Sequence, residues 1–360
     1  SEEPNLVKGL DGNLYMSWIE REGELAILKY AKWGKEQWLA SEVIASGDDW
    51  FVNWADYPAM AVNKSGDMIA HFLQMSDTGT YTYDVKVISK RRSSSEWSSA
   101  ITLHSDSVSA EHGFVSMLPQ SDGNFFLSWL DGRNTTSSDD NHGHGNGAMT
   151  IRGATIDPEL NVIKEDELDN RVCDCCQTSV AMTTNGPIVV YRDRSEEEIR
   201  DMSVVRFVEG SWSDPENIHP DDWNIAGCPV NGPRIVAIEN QVAVAWFSAP
   251  DGEAQVKVAF SNNGGESFSK PVRLGFENAI GRVDIVLIDK ETALISWLEG
   301  LKIVVAKVNI EGEILGRKDI ANTSDSRSIG FPQMELFDDK LMIAWTDAES
   351  KKIVVIAIDL

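Results

Sequence analysis

The chain is short of several things, and each shortage excludes something. Of 360 residues only four are cysteine and six histidine. A chain this long has core enough to fold without covalent staples, so a small disulfide-dense scaffold is excluded. Basic charge is scarce: 32 Lys and Arg stand against 57 Asp and Glu, a formal net charge of −25. A surface of that sign repels nucleic acid and anionic membrane at long range, and neither is expected as a partner. No apolar run approaches the roughly 18 residues that a spanning helix needs, so membrane insertion is not expected either. Long segments of helical period are also missing. What remains is 42% hydrophobic, ample for a buried core.

What is present is a repeat. Short apolar strands end in an aromatic or a histidine and run into a polar turn, as in Tyr15-Met16-Ser17-Trp18, Ile69-Ala70-His71-Phe72 and Phe126-Leu127-Ser128-Trp129. The anchors Trp18, His71, Trp129, Tyr191, Trp246, Trp297 and Trp345 recur at intervals of roughly fifty to sixty residues. Ahead of each comes an alternating strand, such as residues 58–62, 114–118 or 179–182. Between the two lies a turn rich in Asp, Asn and Gly, such as Ser121-Asp122-Gly123-Asn124. A third strand follows the anchor, and a fourth is expected to open on Trp38, Trp97, Trp212 or Phe268. Four short strands of period two per repeat describe the blades of a β-propeller. The expectation is an all-β chain, one β-propeller domain over residues 1–360, of four-stranded blades. Seven blades is the preferred count and six the alternative. The last repeat lacks a fourth strand, so N-terminal residues are expected to complete it.

Ser261-Asn262-Asn263-Gly264-Gly265-Glu266-Ser267-Phe268 resembles the BNR/Asp-box turn (Ser-x-Asp-x-Gly-x-x-Trp) of sialidase-like propellers. Asn263 stands for the Asp and Phe268 for the Trp. The motif braces a turn and speaks for fold, not activity. Further stretches widen the likeness: Glu111-His112-Gly113-Phe114, Trp129-Leu130-Asp131-Gly132-Arg133, Cys173-Asp174-Cys175-Cys176, Tyr191-Arg192-Asp193-Arg194 and residues 227–233. Together they resemble a bacterial exported, CxCC-containing, sialidase-like group. That resemblance, with the trimmed-looking start Ser1-Glu2-Glu3-Pro4, implies a periplasmic or extracellular location.

Propeller geometry sorts the unusual residues. Loops entering the first strand of each blade, and loops joining its second and third strands, open on one face. The first kind carries Glu111 and His112, then Cys173, Cys175 and Cys176, then Cys228 with Asn231, then Arg282 and Asp284, then Arg327. The second kind carries Asp131, Arg133, His142 and His144, then Arg192, Asp193, Arg194 and Arg200. Cys173, Cys175, Cys176 and Cys228 with His112, His142 and His144 form a soft donor set suited to Cu(I) or Zn. Copper is the preferred cofactor and zinc the alternative, with a metal or small molecule as the ligand. Disulfides are the competing reading of an even cysteine count, and a catalytic thiol is a third. His71, at a core anchor, reads as structural.

The resemblance also implies a rival, an exo-α-sialidase or related glycosidase. Arg133, Arg192, Arg200, Arg282 and Arg327 would bind the substrate carboxylate. Tyr191, Glu111 and Asp131 would be the catalytic candidates, with Asp193 and Asp284 nearby. The early Arg-Ile-Pro signature of that family is absent, and only one good Asp-box is present. A ligand-binding propeller with structural disulfides alone is the remaining, non-enzymatic alternative.

Overall fold

In a computed structural model of the chain, residues 1–135, 147–276 and 278–360 are described. The chain is all-β. Its strands form seven antiparallel sheets, hydrogen-bonded in chain order except that Glu216–His219 pairs with Met202–Val208 in the fourth, and that up-and-down meander is the blade of a seven-bladed β-propeller. The chain divides into two compact units, Ser1–Asp174 and Cys175–Leu360. The first holds three blades and the second four.

All seven anchors lie on the second strand of their blade. Trp18 is on Leu14–Glu22, His71 on Met68–Met75, Trp129 on Phe125–Asp131 and Tyr191 on Pro187–Arg192. Trp246 is on Gln241–Ser248, Trp297 on Thr292–Glu299 and Trp345 on Lys340–Asp347. Seven is therefore the blade count. These second strands are buried on both faces, which is why they read as near-continuous apolar runs. Each core cluster joins two neighbouring blades of one unit. Ile69, Tyr83 and Val85 of the second blade pack with Phe125, Leu127 and Trp129 of the third. Val190 and Val204 of the fourth blade pack with Val244 and Trp246 of the fifth. His71 is wholly buried. Its Nδ1 accepts the Ala59 N–H at 3.2 Å, and burial lowers its pKa to about 3, so it stays neutral and structural.

The Asp-box turn sits between the third and fourth strands of the fifth blade, Gln255–Ser261 and Val272–Gly275. Ser261 Oγ donates to Asn263 Oδ1 at 2.7 Å and accepts the Gly265 N–H at 3.0 Å, while Asn263 Oδ1 accepts the Ser267 N–H at 3.1 Å. Gly265 has φ +83°, and a Cβ there would lie 2.3 Å from Ile188 Cδ1. Only glycine meets both demands.

Three expectations need correction. The aromatics Trp38, Trp97, Trp212 and Phe268 do not open fourth strands; Phe268 precedes Val272–Gly275. Trp38 precedes Glu42–Gly47 and Trp97 precedes Ile101–Thr102, while Trp212 closes the two-residue Ser211–Trp212. Trp38, Trp97 and Trp212 stand edge-on against Trp33, Tyr30 and Phe207 at 5.1, 5.9 and 5.4 Å. The N-terminal strand Glu2–Lys8 does not complete the last blade. It pairs with Leu14–Glu22, where its own repeat supplies the nearest edge, and the last blade has three strands among the described residues. Arg282 and Asp284 are not in a loop but inside the strand Ala279–Asp289. The register breaks there, with positive φ at Gly281 and Arg282, the mark of a bulge that re-aims side chains.

Candidate functional site

Between the strands Val162–Asp169 and Ser179–Met182 the chain carries its cysteine run. The Arg171 N–H bonds Asp169 Oδ1 at 3.1 Å and the Val172 N–H bonds the Met149 carbonyl at 2.9 Å, fixing where the run begins. Farther on, Gln177 Oε1 accepts the Gly232 N–H at 2.9 Å. A Cβ on Gly232 would lie 2.1 Å from the Gln177 carbonyl oxygen, so this approach requires glycine. Cys173 and Cys176 are buried and Cys175 is partly exposed. The three sulfurs lie within 4.8 Å of one another. Such a compact thiol group can hold a soft metal ion once its protons leave. Cys228 is exposed and lies outside that group. His142 and His144 fall outside the described residues.

His112 belongs to a different group, in the first unit. It opens the strand His112–Pro119 and pairs in register with Asp131, the last residue of Phe125–Asp131. His104 follows the short strand Ile101–Thr102, and Asp84 lies on Tyr83–Lys90. The rings of His104 and His112 stack at 3.7 Å, 8° from parallel. His112 Nδ1 is 3.3 Å from the Tyr83 carbonyl and His104 Nδ1 is 3.0 Å from Asp106 Oδ2. Their Nε2 atoms face carboxylates: His112 Nε2 is 3.2 Å from Asp106 Oδ2 and 3.7 Å from Asp131 Oδ1, and His104 Nε2 is 3.7 Å from Asp84 Oδ1. Burial, reinforced by His112 alongside, pushes the His104 pKa down. Asp106 and Asp131 move the other way from what burial alone would give. A Val108 N–H and the neighbouring histidines hold Asp106 low, and Arg133 and His112 hold Asp131 low. Two donor triplets result, Asp84–His104–His112 and Asp106–His112–Asp131.

The arginines spend their donors on the protein itself. Arg192, fully buried, donates to the carbonyls of Arg200, Asn231 and Phe247 at 2.7, 2.8 and 2.7 Å. Its guanidinium lies over Trp223 at 4.7 Å. Arg200, also fully buried, donates to Glu198 at 2.7 Å, and Arg194 donates to the same carboxylate at 2.6 Å. Arg282 donates to the Ser326 and Gly330 carbonyls at 3.0 and 3.1 Å. Burial, reinforced by the nearby positive charge of Arg327, lowers its pKa to about 10. Arg133 binds Asp131 through two nitrogens at 2.7 Å each and reaches Asp106 and Glu165 at 3.1 Å. Arg327 lies in the short turn Arg327–Ile329.

Of the acid, base and nucleophile candidates, Tyr191 is fully buried in its strand and Asp131 is buried under Arg133. Glu111 accepts the Tyr83 hydroxyl at 2.8 Å. Asp193 accepts the Ser203 hydroxyl at 3.0 Å. Asp284 accepts the Met334 N–H at 2.6 Å and the Ile285 N–H at 3.0 Å, and burial raises its pKa. These bonds fasten strands together.

Sequence reasoning missed Asp84, His104 and Asp106. His104-Ser105-Asp106 has no metal spacing of its own. The one available signal was that two of six histidines fall in neighbouring segments of a single blade pair.

No protein-family model matches the chain, and no curated protein matches it. Solved structures do. The polysaccharide lyase Uly1 is similar over 100% of this chain and 89% of its own, at 10% identity and TM-score 0.57. The NanB sialidase of Streptococcus pneumoniae is similar over 97% of this chain and 84% of its own, at 10% identity and TM-score 0.51. The Hadza microbial sialidase Hz136 shares 13% identity at TM-score 0.47, over 82% of this chain. The chain spans only 63% of that enzyme's length. At such identities the likeness concerns fold alone. In fold, this chain is a sialidase-like β-propeller.

Proposed function

We propose that this is an exported sialidase-like propeller of one domain whose Cys173, Cys175 and Cys176 bind a soft metal ion, copper before zinc, for storage, delivery or redox chemistry. One observation carries the reading: three sulfurs of a four-residue run lie within 4.8 Å of one another, two of them buried. Clustered thiolates favour Cu(I) among the available ions. Cys228, exposed on a segment tied to the run through Gln177, is the candidate fourth donor. His142 and His144 are the candidates from the sequence beyond it.

The test is elemental analysis of protein purified without chelators, beside a thiol count under denaturing conditions. Stoichiometric copper or zinc with four titratable thiols is expected, and Cys175→Ser should empty the site. Reduced wild-type protein that takes up no copper on reloading would sink the reading.

The glycosidase reading ranks second. It draws on Arg133, Arg192, Arg200, Arg282 and Arg327 for a carboxylate and on Tyr191, Glu111 and Asp131 for chemistry. Its support is the shared fold. Against it, Arg192, Arg200, Arg282 and Arg133 already hold internal partners, and a substrate would have to replace them.

A further inference from the structure

We infer that Asp84, His104 and His112 form a second cation site, built of nitrogen and oxygen donors and suited to a borderline divalent ion of the zinc class. It shares no residue with the cysteine group. His112 places Nδ1 against the Tyr83 carbonyl and His104 places Nδ1 against Asp106. A carbonyl or carboxylate at Nδ1 accepts a proton, so that nitrogen carries the N–H and Nε2 keeps its lone pair. Metal-binding imidazoles are oriented in this way, by an acceptor on the far nitrogen.

Both Nε2 atoms are buried and have no hydrogen-bond partner among the described residues. Each instead faces carboxylate oxygens, at 3.2 Å for His112 and 3.7 Å for His104. A lone pair aimed at a carboxylate in a buried site is repulsive unless a cation lies between them. Two stacked imidazoliums would repel each other, so protonating both rings is a poor remedy.

Of the two triplets, Asp84–His104–His112 has the available oxygen. Both Asp131 oxygens are taken by Arg133, and Oδ2 also by the Trp129 indole at 2.8 Å. Asp106 Oδ2 is shared between His104 and Arg133. Asp84 uses Oδ2 for Lys86 at 3.2 Å and turns Oδ1 toward His104. Beside them opens a cavity of about 240 Å³, lined by Asp84 and His104 with Ser76 and Thr102. It leaves room for water or a small anion to complete the coordination. Ligation would splay the stacked rings, with His104 the one to turn.

The test is Co(II) titration of the full-length chain carrying Cys175→Ser, followed in the visible and near ultraviolet. One equivalent is expected to give d–d bands without thiolate-to-cobalt charge transfer, and zinc should displace it. Asp84→Asn and, separately, His104→Asn should each weaken cobalt binding at least tenfold, with circular dichroism checking the fold. The inference fails if no cobalt binds outside the thiols, or if whichever of these two variants folds binds as tightly as the parent. Because the cysteine site is read by charge transfer in unsubstituted protein, either site can fail while the other stands.

Discussion

The cysteine run and the histidine–carboxylate cluster are both collections of metal-competent side chains, yet they are made in opposite ways. The run is local: Cys173, Cys175 and Cys176 need only a tight loop to bring their sulfurs together. The cluster is assembled from three strands and one loop, with Asp84, His104, Asp106, His112 and Asp131 drawn from two blades. The run holds no fixed charge of its own beyond Asp174, whereas the cluster is threaded by Arg133, which binds three carboxylates. Thiols can be exchanged with small structural consequence. The cluster's charges support the fold as well as any ion.

The sharpest way to break that contrast is Asp131→Asn. It leaves the half-buried Arg133 charge short of its bidentate partner, and a loss of about 3 kcal/mol in a denaturant titration is expected. A loss below about 1 kcal/mol would show the cluster to be as dispensable to folding as the run.

Next comes pH. Asp56 is buried and accepts the Phe114 N–H at 2.7 Å and the Tyr83 hydroxyl at 3.4 Å, and burial raises its pKa to about 7. A carboxyl raised in the folded state binds its proton more tightly there than when unfolded. Its contribution is therefore greatest below about pH 4 and declines as pH rises toward 7. The decline should reach at most about 4 kcal/mol. Asp56→Asn should flatten this part of the stability-versus-pH curve, and an unchanged slope would assign it to other groups.

Gly232→Ala should destabilise by about 1–3 kcal/mol, because its Cβ meets the Gln177 backbone. If the metal reading of the run is right, it should also loosen metal held by the neighbouring sulfurs. The smallest stability effect is expected for Cys175→Ser. Thermal melting of metal-free protein should move by less than about 1 kcal/mol equivalent, since the side chain is partly exposed and nearly isosteric. A large loss would recast Cys175 as a packing residue.

Much of the fold was legible. Strand alternation, the seven anchors and the Asn263 turn each act over a few residues, so spacing alone locates them. The arginines were not legible. Arg192 looks like a ligand in a polar loop but ends a strand and pins three carbonyls. Arg282 looked the same and sits in a bulge. Whether an arginine meets substrate or backbone depends on what lies beyond its long side chain, and neighbours in sequence carry no record of that.

The sequence by itself determined the blade pattern and the gathering of Cys173, Cys175 and Cys176, because both follow from the reach of a short backbone segment. Tertiary structure alone decided that His112 sets Nδ1 against the Tyr83 carbonyl of the preceding blade, and that Arg133 reaches Asp106. Those contacts join segments separated by whole strands, and only the packing of one blade against the next brings them within bonding distance.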